Sequence, residues 1–399
     1  MRCSPVIAAV LALAMAGLVP VAAQESTPTS PSAERQLTAI VASAIGGPVG
    51  VPGSDGQHHI EYDLVITNVF NAPVKMSTIE VLTLDGDSLL SVAGNDLVSA
   101  TQPLLGLMPL EEIPASGTAA VIIDVAVPRD QVPDRLTHRI TYTLPSNAPW
   151  AGQIESLIID GPELVVDNRA PVVIAPPVHG PGWLNAFSCC DASSVHRGVR
   201  AAADGARIVK SETFAIDWIL LQDNRFFEGD GARNEQWFAY GAEVNAVAPG
   251  TVVFARDGLA EGTPKSLPST LQEPGDSAGN HVVVQIEPGV WAFYAHLQTG
   301  SVAVEIGDQV ATGQSIGRLG NSGNSIGPHL HFGLIDGPNP LTANSVPMVI
   351  DRYSLTGSVD PASLFAALGD PEALALQRDA TPQPQSGTLP MNMAITDFG

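Results

Sequence analysis

Apolar runs with a two-residue period, each cut off by glycine or proline before it grows long, recur along this sequence and confine it to sheets of short strands. "IEYDLVITNVF" and "VKMSTIEVLTLDG" are joined through "NAPV", and "AAVIIDVAVP" and "LTHRITYTL" alternate in the same way, with "PASG" and "PRDQVPD" as breakers. The 38 glycines and 33 prolines supply the turns that such a chain needs and leave little room for long helices. A mainly β fold is therefore expected.

A chain of 399 residues is long for one core, which suggests two or three domains. The strand pattern from about Leu37 to Val166 suggests an immunoglobulin-like β-sandwich over residues 37–167, without that fold's paired cysteines. It holds no catalytic cluster, and His58, His59 and His138 read there as solvated loop and strand residues. A Pro-rich joint, "NRAPVVIAPPVHGPG" (residues 168–182), reads as a stiff linker with His179 exposed. Strands resume over residues 183–356, among them "ETFAIDWILL" and "NHVVVQIEPGVWAFYAHL". The stretch "LAEGTPKSLPSTLQEPGDSAGN" (259–280) has loop composition throughout and is long enough to wall a cleft. In the C-terminal tail, 357–399, Asp360 before Pro361 signals a helix cap, while "RDATPQPQSGTLPMNM" is expected to be disordered or loosely packed.

Residues 1–23 read as a signal peptide: Arg2 precedes the apolar run "VIAAVLALAMAGLV", and Val21, Ala22 and Ala23 close it with small residues. An uncleaved anchor is the alternative, although the run is short for a spanning helix. Residues 24–36 form a flexible Ser/Thr/Pro lead-in. The expected location is secreted or extracytoplasmic, in the cell envelope, with no stable membrane insertion after cleavage. The formal charge, 18 − 41 = −23, comes without a basic stripe and argues against a nucleic-acid partner. Nothing in the sequence specifies an oligomeric state. Cys3 would leave with the signal peptide. Cys189 and Cys190, adjacent in "FSCCDASS", could form a strained vicinal bridge, a soft metal site or two free thiols.

The chemistry concentrates in "GPHLHFGL", residues 327–334. In a strand, His329 and His331 share one face while Leu330 and Phe332 take the other. Imidazole is the commonest metal ligand, so the pair suits one ion, or one ion and one base. Further candidates are His196 in "SSVHRG", Asp217 in "FAIDW" and His296 in "FYAHL". A carboxylate inside an apolar strand is costly unless a metal or a hydrogen-bond network compensates it.

From about Trp183 to Val349 these residues resemble the M23 (lysostaphin/LytM-like) zinc metallopeptidase family. The resemblance is most specific in "GDQVATGQSIGRLGNSGNSIGPHLHFGL" preceded by "WAFYAHL". It implies an antiparallel β-sheet peptidase domain with Zn2+ as cofactor, held by Asp217 and His331, while His296 and His329 assist catalysis beside the metal. One departure stands out. The family's first ligand usually lies in His-x-x-x-Asp, but the residue four before Asp217 is Thr213. His196, 21 residues before Asp217 (217 − 196), is assigned to the vacant position. Asn321 and Asn324 read either as turn residues or as partners of a histidine. The implied activity is that of an exported zinc metalloendopeptidase, hydrolysing peptide bonds of bacterial peptidoglycan with a zinc-activated water. Two alternatives remain: a catalytically inactive M23-like cell-wall-binding or regulatory protein, and a surface adhesion protein that uses its N-terminal domain.

Overall fold

The computed structural model describes residues 36–268 and 271–399. The expected signal peptide (1–23) and all but the last residue of the lead-in (24–36) lie outside them. Leu37–Gly399 form one compact unit. Its strands are many and its helices short: the longest among the described residues, α1 (Gly94–Ala100), has 7 residues. No helix of the described residues is long and apolar enough to cross a membrane.

The N-terminal half contains β1 (Ile40–Pro52), β2 (Gln57–Asn68), β3 (Lys75–Leu82), β4 (Ser88–Ala93), β5 (Thr101–Pro103), β6 (Thr118–Pro128), β7 (Arg135–Thr143) and β8 (Ile158–Asp160). One antiparallel sheet runs β1-β2-β6-β5 and a second runs β4-β3-β7-β8. Ile60, Tyr62, Leu64 and Ile66 of β2 share an apolar core with Ile79 and Val81 of β3 and Ile140 and Tyr142 of β7. This is the alternation visible in the sequence. The intervening residues of β2 depart from it, because Glu61 and Asp63 are as buried as their apolar neighbours.

Those two carboxylates face cations from the second half of the chain. Arg197 pairs with Glu61, while Arg200 Nε donates to Asp63 Oδ2 at 2.6 Å and Lys210 Nζ to Asp63 Oδ1 at 2.5 Å. Burial pushes the Asp63 carboxyl up, but Lys210 and Arg200 outweigh it and hold it below its usual value. Burial also drives Lys210 down, to about 8, against the pull of Asp63. His59 and His138 are corrected in the same region: both are buried, not solvated. His59 bonds Asp124 at 2.8 Å, and His138 bonds the Tyr62 hydroxyl at 2.8 Å and the Pro162 carbonyl at 2.7 Å, so their ring nitrogens have partners without water.

The second half is built on a long sheet. Its elements are β9 (Gly180–Ala186), α2 (Val195–Gly198), β10 (Ile216–Leu220), β11 (Gly250–Arg256), β12 (Asn280–Glu287), β13 (Val290–Leu297), β14 (Gln309–Val310), β15 (Leu330–Ile335), β16 (Tyr353–Val359), β17 (Leu376–Gln385) and β18 (Ala394–Phe398). The strands follow the order β14-β11-β12-β13-β15-β10-β9-β18-β16-β17. One side packs Trp218, Val282, Val284, Tyr294, Leu330 and Phe332 into the largest core of the molecule. Cys189 and Cys190 are bonded to each other and belong to that core.

Two segments differ from expectation. The Pro-rich joint is stitched into the fold, since Val172–Ile174 pairs in parallel with Met348–Ile350, although His179 is exposed as expected. The tail is not loose: β18 lies between β9 and β16, and β17 forms the border of the sheet, where Pro382 and Pro384 are tolerated because one side of the strand needs no ladder. Asp360 caps the short turn Pro361–Ser363 by accepting the Ala362 N–H at 3.0 Å.

Replacing Asp63 by Asn strands Arg200 and Lys210 in a buried site. Loss of one partner from such a cluster costs about 3–5 kcal/mol, so the urea midpoint is expected to fall sharply. The stabilisation from this depressed carboxyl is present above the ordinary Asp value of about 3.9 and vanishes as pH falls through the lowered folded-state value. The acid limb of the stability curve should therefore be shallower in Asp63→Asn, as equilibrium unfolding between pH 2 and pH 7 would read.

Candidate active site

The strand register assembles the site. β10 and β15 pair so that Asp217 lies directly opposite His331, and β13 sets Ala295 against the other side of His331. Ile216, Trp218, Leu330 and Phe332 point into the core, so the alternation sends Asp217 and His331 to the opposite face. His329 immediately precedes β15. His296 sits near the end of β13 with φ 63°, a left-handed conformation that costs a non-glycine residue roughly 1–3 kcal/mol and is characteristic of functional sites.

All five candidates converge. Asp217 Oδ1 lies 3.0 Å from His331 Nδ1 and 3.4 Å from His196 Nε2, and Asp217 Oδ2 lies 3.5 Å from His329 Nε2. The His196 and His331 rings meet edge to face with centroids 4.9 Å apart, and those of His296 and His329 are 4.7 Å apart. His196, Asp217 and His331 each offer a ligand atom within 4.8 Å of the others. Ligands about 2 Å from a tetrahedral zinc stand roughly 3.4 Å from one another, so this set of two imidazoles and one carboxylate fits the ion. Thr213 is not part of the group. A second cluster, His59, Glu61, Asp124 and Cys190, lacks a free thiolate because Cys190 is in the disulfide.

The two remaining imidazoles are oriented by backbone carbonyls. His296 Nδ1 donates to Ser322 O at 2.8 Å and His329 Nδ1 to Gly327 O at 2.8 Å. A carbonyl only accepts, so in each neutral ring the lone pair is left on Nε2. His196 is treated alike, its Nδ1 donating to Ala215 O at 3.2 Å while Nε2 turns to Asp217.

Electrostatics follow from this crowding. Burial pushes the Asp217 carboxyl up, but His329, His196 and His331 overcome it and hold the group well below its usual range. Burial lowers His196, yet Asp217 reverses the shift and raises it to about 9. His296 has no such partner at bonding distance; burial, followed by His329 and His331, drives it well down.

The site opens into a cleft of about 850 Å³ whose lining includes Leu107 of the N-terminal half, Arg256, Ser277 and Ala278 of the loop predicted as a wall, and His281. His281 was not singled out from the sequence. It is buried, stacks on Phe254 with ring centroids 4.8 Å apart and donates to Gly279 O. Its place one residue into a strand, with no partner at x-x spacing, carried no signal. Ser325, 3.3 Å from His329 Nδ1, was likewise hidden in a turn-like stretch. Asn321 bonds Asn234, Gly262 and Ser325 and acts as a turn organiser.

Residues 236–343 match the model of peptidase family M23, a span that includes His296, His329 and His331 and begins after His196 and Asp217. Over 66 residues the chain is 42% identical to the peptidoglycan DD-endopeptidase ShyA of Vibrio cholerae serotype O1, covering 16% of this chain and 15% of that protein. Over 55 residues it is 42% identical to an uncharacterized metalloprotease of Buchnera aphidicola subsp. Baizongia pistaciae, covering 14% of each. The match thus takes in about one seventh of the length of these relatives. Among solved structures, the catalytic domain of lysostaphin from Staphylococcus simulans is 23% identical over 33% of this chain and 73% of that one, with a TM-score of 0.22.

In the metal-free protein His196 is protonated at neutral pH, and a metal must displace that proton. Metal affinity is expected to rise with pH up to about 9 and then flatten. Chelator competition from pH 7 to pH 10 measures this, and a flat profile over pH 7 to 9 would remove His196 from the ligand set.

Proposed function

Because residues 236–343 match the model of peptidase family M23, we propose that this protein is an exported zinc metalloendopeptidase that cleaves peptide bonds of bacterial peptidoglycan. The observation that carries the reading is the meeting of Asp217 with His196, His329 and His331 at the head of one cleft. The peptidoglycan substrate rests on the partial likeness to an endopeptidase of that class.

His196, Asp217 and His331 would hold the ion, leaving the fourth position open to water or substrate. Bound there, zinc would supply Lewis acidity, the chemistry that makes water nucleophilic near neutral pH and polarises a scissile carbonyl. His296, buried and held neutral, presents its Nε2 lone pair as the acceptor for the proton lost by the attacking water. The same proton is then passed to the amine nitrogen as the C–N bond breaks. His329, fixed through Nδ1 by the Gly327 carbonyl and with Nε2 3.5 Å from Asp217 Oδ2, would stand beside the reacting carbonyl as the second assisting imidazole. The end of the long loop, Gly275, Ser277 and Ala278, borders the cleft and would contact the peptide.

Zinc content and digestion of purified peptidoglycan test the reading together. The wild type is expected to hold about one zinc per chain, consistent with a single three-ligand site, and to release new amino termini. His331→Ala and His196→Ala should lose both zinc and cleavage. His296→Ala should keep the zinc and lose roughly 10²–10⁴-fold in rate, the usual contribution of a proton-transfer group. A wild-type protein that binds peptidoglycan without zinc and without cleavage would instead be a wall-binding relative.

A further inference from the structure

His196 reaches the site by a different route from its partners. Asp217 and His331 are neighbours in the long sheet, whereas His196 lies on α2, a single turn of four residues. One such turn has no stability of its own. What holds it is the N-terminal half.

Arg197, the next residue, is fully buried. Its Nη2 donates to Ile123 O of β6 at 3.0 Å, its Nε to Cys190 O at 3.4 Å, and the guanidinium pairs with Glu61 of β2. Gly198 presses on the same sheet: a Cβ there would stand 2.7 Å from Gln102 Oε1 of β5 and 2.9 Å from Leu107 Cδ2. Arg200 closes the clamp, bonding Asp63, Gln102 Oε1 and Gly198 O at 2.6, 3.1 and 3.1 Å. The residues that follow the imidazole, Arg197, Gly198 and Arg200, thus contact β2, β5 and β6, and none of those strands belongs to the long sheet.

We infer that Arg197 is a positioning residue for the metal centre, and that the N-terminal half completes the zinc site by anchoring Arg197 so that His196 faces Asp217 and His331. The inference rests on the reading of His196 as a zinc ligand. The physical reason is that adjacent side chains on one helical turn move as a unit. A guanidinium in a dry site is held in place by the acceptors it meets, here the Ile123 and Cys190 carbonyls and Glu61. If the anchor is lost, α2 is free to turn and its imidazole leaves the ligand set. The N-terminal half then matters to the metal even though it supplies no ligand.

The test uses the full chain with three changes: Arg197→Met, the double change Glu61→Leu with Arg197→Met, and His196→Ala. Arg197→Met alone leaves Glu61 unmatched and could unfold the protein. The double variant removes the buried guanidinium together with the acid it faces, a replacement by apolar residues that is often neutral or stabilising, and its thermal unfolding is expected to be close to wild type. In that folded protein zinc affinity, measured by chelator competition, should still be weaker by about 10–100-fold, the usual effect of losing a residue that orients a ligand. The visible spectrum of the cobalt-loaded double variant should shift towards that of His196→Ala. A folded double variant with wild-type zinc affinity and cobalt spectrum overturns the inference and leaves the proposed site standing. Wild-type zinc affinity in His196→Ala overturns the ligand assignment itself.

Discussion

A carboxylate placed in the middle of an apolar sheet governs this molecule. Asp217 is flanked by Ile216 and Trp218, both fully buried, and its own charge has little access to water. Such a group must be matched by cations or donors, or else be protonated. Here three imidazoles surround it, and each is brought by a different device: His331 by the register of the neighbouring strand, His329 by the turn that enters that strand, and His196 by a short helical turn clamped from outside. The crowding of imidazoles around one acid is what makes the spot suitable for a divalent ion.

The same principle operates a second time, between the two halves of the chain. Glu61 and Asp63 on one strand and Arg197, Arg200 and Lys210 on the segment that follows the joint are buried together. Buried ion pairs contribute little net stability compared with apolar packing, but they are intolerant of misalignment. A contact of this kind defines one relative placement of the strand and the helical turn. The cluster around Asp217 and the scaffold beneath it are thus fastened by the same class of interaction, with the chain passing from one to the other between His196 and Arg197.

Legibility in the sequence divides along physical lines. His331 could be placed away from the core because the period of a strand is two, and His329, in the turn just before the strand, reaches the same carboxylate. Asp217 was conspicuous because an acid stands out in "FAIDW". By contrast "IEYDL" alternates in the manner of a strand with one wet face, and the pattern cannot register what covers the polar side; here it is Arg197, Arg200 and Lys210. His59 and His138 were misjudged for the same reason. The join of His196 to Asp217 depends on contacts with strands more than 70 positions away, such as Arg197 to Ile123 (197 − 123 = 74), which no local spacing encodes. The C-terminal segment was misread because composition counts prolines without knowing which side of a strand they occupy.

That last segment has a consequence for how the molecule behaves among its neighbours. The ten-strand path ends on one side in Gln309–Val310, too brief to template anything, and on the other in a strand interrupted by Pro382 and Pro384, which lack the N–H that an incoming strand would need. Both rims of the sheet are therefore poor sites for cross-molecular β-pairing.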